Sequence, residues 1–183
     1  MLACDGQADC PAYCADPAHF GEAARADACY AVAQFDWLRA ELAAARPGYA
    51  HIFVIAHSPL LGSGDNHGPN SAAPQLRALL EQYGVDLYLN GHNHAYERTY
   101  PVRGSARDAS GTTYVTVGPA GALCDGVNGD WFTAASYQDW TTYGDLEGNT
   151  VYTKITVDGG TVTGRVYSLA GGTVPVDTFT LVR

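Results

Sequence analysis

Apolar and polar positions alternate with different periods along this chain, and the changes of period mark its elements. Val32, Phe35, Leu38 and Leu42 recur at helical spacing, so a helix is predicted that ends near Ala45, before Pro47-Gly48. Residues 51–56 (His-Ile-Phe-Val-Ile-Ala) and 85–89 (Val-Asp-Leu-Tyr-Leu) are short apolar runs that read as buried strands. Between them Leu76, Leu79, Leu80 and Tyr83 mark a crossover helix, with Gly84 as its stop. Strand, helix and strand together read as one parallel βαβ unit. After Pro101 the pattern changes. Residues 113–117, 151–157, 161–169 and 176–181 alternate or are rich in β-branched residues, which predicts antiparallel strands with few helices. Asp158-Gly159-Gly160 is the expected hairpin turn between two of them. Residues 59–74 form a Gly/Ser/Asn-rich loop over the strand ends. Residues 1–30, rich in Ala, Asp and Cys with no steady period, read as a stapled loop or insertion.

Both apolar runs of the βαβ unit end in histidine. His57 follows the first directly, and Asn90-Gly91 leads from the second into His92 and His94. Open α/β sheets build their sites just past the carboxyl ends of their strands. Parallel strands joined by one crossover are close neighbours, about 4.8 Å apart if paired. Imidazole nitrogens bind zinc-like ions at about 2.0–2.1 Å, so two ligands of one ion lie roughly 3–3.5 Å apart. His57 and His92 can therefore converge on one ion. A dinuclear centre, with ions about 3.5–4 Å apart, would use His92 and His94 on different ions. The plainer alternative is three polar loop histidines without a ligand role. A single His-x-His favours that alternative; His57 on the neighbouring strand favours a metal.

Composition narrows the partners. The 183 residues carry a net charge of −9, which argues against nucleic acid or an anionic membrane as a bulk partner. It does not exclude phosphate esters, because bound cations would dominate the charge of such a site. No run reaches transmembrane length, and Met1-Leu-Ala-Cys-Asp has neither the basic start nor the apolar core of a signal peptide. Cys4, Cys10, Cys14 and Cys29 lack the Cys-x-x-Cys spacing of zinc knuckles, so disulfides are expected, with three connectivities open. Disulfides imply an oxidising compartment. Cys124 is left over.

Gly91-His92-Asn93-His94-Ala95-Tyr96-Glu97-Arg98, preceded by Val54-Ile55-Ala56-His57-Ser58-Pro59, resembles the calcineurin-like metallophosphoesterases, and within them the purple acid phosphatase branch. Gln34-Phe-Asp-Trp37-Leu38 and the closing Val176-Asp-Thr-Phe-Thr-Leu-Val-Arg183 also fit that branch. The resemblance covers roughly residues 34–183 and is weak over 103–148. It implies an α/β (α+β-like) fold: the C-terminal part of a metallophosphoesterase β-sandwich flanked by helices, with a parallel βαβ unit followed by antiparallel strands. One partial domain, 1–183, is expected, comprising the loop 1–30, the βαβ part 31–101 with the ligand motifs, and the strands 102–183. The family's three earlier blocks, Asp-x-His, Gly-Asp and Gly-Asn-His-Glu/Asp, have no counterpart in place. Asp65-Asn66-His67 spells the first, but it follows His57 in a Gly-rich loop. The chain is thus expected to carry the histidine half of a two-metal centre.

The resemblance implies metal-dependent hydrolysis of a phosphate-ester small molecule or phosphorylated substrate. Its complete site holds iron paired with zinc, manganese or iron, and this chain alone is expected to hold at most one ion. It places His57 and His92 on one ion and His94 on the other, and it offers His67 as the general acid. Glu97 and Arg98 follow the motif too closely to face the same ion, and are expected to pair or to support the ligands, with Asn93 as a further supporting or substrate-facing residue. Tyr96 is expected in the core, and His19 and His51 show no partner pattern. An extracytoplasmic location agrees with the cysteines and with the branch. The alternatives are a catalytically inactive fragment, a binding module that keeps the fold, and a mononuclear metal-binding protein.

Overall fold

The computed structural model describes residues 23–62, 73–118, 138–141, 151–169 and 172–182, giving the backbone alone for 23–33 and 138–141. The chain divides into two units, Met1–Gly48 and Tyr49–Arg183. In the first, α1 spans Ala23–Ala45. The loop expected over residues 1–30 is therefore helical from Ala23 onward. Ala23, Ala24, Ala26 and Ala28 explain the difference: alanine has the highest helix propensity and leaves no apolar period to read. The predicted end holds. Arg46 N donates to Leu42 O and Gly48 N to Ala45 O, both at 3.0 Å, closing the last turn at Pro47.

The second unit opens with β1 (Phe53–Ile55), α2 (Ala73–Gln82) and β2 (Leu87–Asn90), the expected βαβ order. There follow β3 (Tyr96–Thr99), β4 (Val102–Arg103), β5 (Ala106–Arg107), β6 (Thr113–Val117) and β7 (Gln138–Thr141). The last three strands are β8 (Val151–Asp158), β9 (Thr161–Ser168) and β10 (Asp177–Val182). Five strands form a mixed sheet in the order β1-β2-β6-β3-β7. β1, β2 and β6 run parallel, with Phe53 opposite Leu87 and Leu87 opposite Thr113. β3 runs antiparallel to both β6 and β7. β6 was expected among the antiparallel strands; it is instead the third parallel strand and the hinge between the two directions. Its β-branched run specifies a strand but not the direction of its partners.

β8, β9 and β10 form a separate antiparallel sheet in the order β10-β9-β8. Asp158 pairs with Thr161 across Gly159-Gly160, which is the expected hairpin. β9 alternates strictly, with Val162, Gly164, Val166 and Ser168 buried, as a strand with one covered face must. Its buried face meets the mixed sheet. Leu87, Tyr96 and Val115 pack with Val151, Val166 and Phe179 in one apolar cluster. On the opposite face of the mixed sheet, Tyr88 and Tyr114 lie with ring centroids 5.9 Å apart, and Arg77 of α2 sits over Tyr114.

A buried polar tie runs through the sandwich. Arg98 on β3 donates from Nε to Asp177 Oδ2 at 2.8 Å and from Nη2 to Oδ1 at 3.2 Å. Tyr96 OH donates to the same Oδ2 at 2.6 Å. Asp177 opens β10, so this carboxylate joins the two sheets.

Candidate metal site

The hydrogen-bond ladder between β1 and β2 runs on past the ends of both strands. Ala56 N donates to Leu89 O, and Gly91 N donates to the carbonyl of His57 itself, both at 3.1 Å. His57 and Gly91 are thus ladder neighbours, and His92 follows immediately. Asn93 N donates back to Gly91 O at 2.8 Å, closing a three-residue turn centred on His92. His92 has φ 67°, and among the described residues it is the one non-glycine with positive φ. A three-residue turn of that hand is rare and strained, at a cost of about 1–3 kcal/mol.

The turn brings the two imidazoles together. His57 Nε2 and His92 Nδ1 are 3.0 Å apart, with ring centroids at 4.9 Å and planes at 74°. Without a metal, one of these nitrogens carries the hydrogen that the other accepts. With both nitrogens deprotonated, two lone pairs lie at about the roughly 3–3.5 Å spacing of ligands on one ion. His57 is exposed and His92 half-buried. A cavity of about 360 Å³, lined by Ile55, His57, Leu89, Gly91 and Ile155 among others, opens beside them.

His94 is half-buried in the same loop. Among the described residues, no group of three His, Cys, Asp or Glu side chains lies together in a way that could hold an ion. The pair therefore fits one edge of a metal's coordination shell, and the described residues supply no third donor. His67 and Asp65 lie outside the described residues, as do Cys4, Cys10, Cys14 and Cys124. Cys29 falls on the backbone of α1, with its side chain outside them.

Several residues that sequence reasoning passed over hold this edge in place. Tyr88 OH donates to Ser58 O at 2.7 Å, fixing the chain one residue past His57. Burial, and then the neighbouring Tyr114, push the Tyr88 phenol up to about 12, so it remains a neutral donor. Asn90 Nδ2 donates to Thr116 Oγ1 at 2.9 Å and to Gly91 O at 3.1 Å, bracing the start of the turn. Gly118 N donates to Ala95 O at 2.8 Å. A Cβ on Gly118 would stand 2.3 Å from Ala95 N, so only glycine lets β6 end against the histidine loop. The signal for Gly118 was available, a glycine ending an apolar run as Gly91 nearly does after 85–89.

Strand alternation sends Arg98 to Asp177, while Glu97 stands on the opposite face of β3, with both residues buried. Asn93 is fully buried, and among the described residues neither its Oδ1 nor its Nδ2 has a hydrogen-bond partner. His51, at the other end of β1, has a side chain 5% exposed, with Nδ1 3.6 Å from Asp86 Oδ1.

This edge lies in the part of the chain that is similar to known proteins. Residues 18–96 match the calcineurin-like phosphoesterase family. The proteins that the chain is similar to include purple acid phosphatases and other acid phosphatases. It is 33% identical over 91 residues to purple acid phosphatase 18 of Arabidopsis thaliana, covering 48% of this chain and 21% of that protein. It is 39% identical over 93 residues to human tartrate-resistant acid phosphatase type 5, covering 50% and 25%. The chain thus spans no more than a quarter of the length of these relatives. In fold it is similar to purple acid phosphatase PPD1 from yellow lupin seeds, with TM-score 0.68 and 22% identity over 82% of this chain and 28% of that one. It is also similar to GAP50, the anchor in the inner membrane complex of Plasmodium, with TM-score 0.64 and 19% identity over 93% and 47%.

Proposed function

We propose that this chain supplies the histidine side of a metal-dependent phosphoesterase site of the acid phosphatase type. The observation that carries this reading is the 3.0 Å approach of His57 Nε2 to His92 Nδ1 at the carboxyl edge of parallel strands. His57 and His92 hold one ion through these nitrogens, and His94 serves a second in a dinuclear arrangement. When bound, divalent or iron-type ions supply the positive charge that neutralises the phosphoryl group. The strained turn at His92 keeps its nitrogen aimed at His57 before any ion arrives, so little reorganisation is needed. His67 protonates the departing ester oxygen as its bond to phosphorus breaks. The substrate is a phosphate-ester small molecule or a phosphorylated partner, and the cysteines favour an extracytoplasmic setting. Among the described residues no helix is long and apolar enough to cross a membrane.

Three neutral imidazoles cannot offset the charge of two cations or bridge them. The 183-residue chain alone is therefore expected to bind one zinc-like ion weakly and to turn over little substrate. The test is to purify it, titrate zinc, iron or manganese, and assay p-nitrophenyl phosphate and its diester across pH. One ion per chain, lost in His92→Ala, supports the histidine side. Robust turnover abolished by His92→Ala would mean that carboxylates of this chain complete the site, with Asp65 and Asp125 the first to examine. A second reading, a non-catalytic module that keeps the fold, is favoured by the lack of a third donor among the described residues. It predicts no saturable metal binding at all.

A further inference from the structure

Asn93 separates the two histidines of the His-x-His turn, and it is fully buried, with no partner for either end of its amide among the described residues. An apolar side chain of that size would carry no such desolvation cost. Its neighbour explains why size is critical there. A Cβ built on Gly62 would stand 2.8 Å from Asn93 Nδ2 and 3.2 Å from Glu97 Oε2. Real Cβ atoms essentially never approach another heavy atom at the first of these distances. Gly62 belongs to the segment that leaves His57 by way of Ser58 and Pro59, and it is itself buried. The first loop of the site therefore rests on the second through a contact that a Cβ at position 62 would crowd.

We propose that Gly62 and Asn93, flanked by Glu97, form a positioning contact that sets the separation of His57 and His92. The inference rests on the metal-site reading and names the residues that regulate its geometry. Asn93 cannot swing aside into solvent, because it is completely enclosed. A push on its amide moves the backbone between His92 and His94 instead. The strained turn has little tolerance for that movement, since its closing bond is the single Asn93 N to Gly91 O contact of 2.8 Å. On the other side, the loop cannot retreat freely either. Ser58 O is held by Tyr88 OH at 2.7 Å, and His57 O by Gly91 N at 3.1 Å. Glu97, 2% exposed on β3, closes the flank along which Gly62 could slide. Added bulk on either side of the contact is thus passed to the imidazoles. None of the three residues touches the ion; they act through the histidines.

The pattern of substitutions distinguishes this role from ordinary packing. Gly62→Ala enlarges one side of the contact and Asn93→Leu the other. Each is expected to weaken zinc binding by about tenfold, the lower end of what loss of an outer support costs a metal site. Asn93→Ala removes the obstacle, so Gly62→Ala/Asn93→Ala should bind zinc as Asn93→Ala alone does. Zinc affinity is read by calorimetry on the full 183-residue chain, well below each variant's thermal midpoint. A purely structural role lowers the midpoint and leaves that affinity unchanged, and this result would overturn the proposal. So would a double variant that binds no better than Gly62→Ala. If Gly62→Ala does not fold, Asn93→Leu against Asn93→Ala makes the same comparison from the other side. His92→Ala is the control for the site. If it binds zinc as the parent does, the metal-site reading fails and this inference with it. If it loses zinc while Gly62→Ala and Asn93→Leu keep full affinity, only the positioning contact is wrong.

Discussion

His51 and His57 flank the same three-residue strand and meet opposite conditions. His51, at the amino end of β1, has a side chain 5% exposed, stacked on Phe53 and 3.6 Å from Asp86. Asp86 is 6% exposed and serves the whole edge. Its Oδ2 accepts Ile52 N at 2.9 Å, its N donates to Ile52 O, and its O accepts Thr113 N. The three parallel strands start from that one residue. At the carboxyl end, His57 is exposed, its partner is another histidine, and the turn beyond is strained. The amino end ties the strand starts together through Asp86 and holds the fold. The carboxyl end sets two imidazole nitrogens 3.0 Å apart, facing each other. Residue type alone does not separate the two histidines; what each finds across the ladder does.

The comparison breaks most easily at the stabilising side. The Asp177 side chain is 8% exposed and joins the sheets through Arg98 and Tyr96. Asp177→Ala leaves the Arg98 guanidinium buried without its counter-ion, and should cost roughly 3–5 kcal/mol in urea unfolding. A loss under 1 kcal/mol would mean that the sandwich does not depend on this tie. The same group fixes an acid limit. Burial acts to raise the Asp177 carboxyl, but hydrogen bonds from Arg98 and Tyr96 and the Arg98 charge outweigh it and hold the group below its ordinary 3.8. A pKa depressed by folding stabilises the protein above the unfolded value, and the contribution is lost as pH falls below it. Stability should therefore decline below pH 3.8, and Asp177→Asn should flatten that decline.

Asp86→Ala tests the amino end directly. It removes the acceptor of Ile52 N and the neighbour of His51, at an expected cost of about 1–3 kcal/mol. Zinc affinity at low temperature should not change, because the metal site lies at the opposite ends of the strands. A variant that lost both stability and zinc would show the two ends to be one cooperative unit.

The sequence carried the site more clearly than the sheet around it. His57 and His92 could be placed together because both follow apolar runs of one βαβ unit, and ladder geometry fixes what lies past paired strands. The direction of β6 could not be read. Thr113 to Val117 would suit either neighbour, and the choice depends on long-range pairing with β2 and β3. β3 was hidden for another reason. Tyr96-Glu97-Arg98-Thr99 is polar at alternate positions on both faces, and all four residues are buried. Its polarity makes sense only with Asp177 in place, 79 residues from Arg98. The start of α1 was missed because alanine has no face to display. The strain at His92 is beyond any pattern, since a left-handed histidine looks like any other in sequence.

That strain sets the smallest prediction and the one that most sharpens the contrast between the two ends. At φ 67° a side chain meets the preceding carbonyl, whereas glycine adopts the conformation freely. His92→Gly and His92→Ala both remove the imidazole, so both should lose zinc binding. They differ in that alanine keeps the strained Cβ. The glycine variant should be the more stable of the two by about 1 kcal/mol, even though glycine gains more freedom on unfolding. The same two substitutions at His51 should rank the other way. Its φ is not positive, so glycine brings only the entropy cost and alanine should be favoured. A pair of thermal melts at each position checks the reversal of sign. If alanine were favoured at both, the turn at His92 would not be strained in solution, and the approach of its nitrogen to His57 would need another cause.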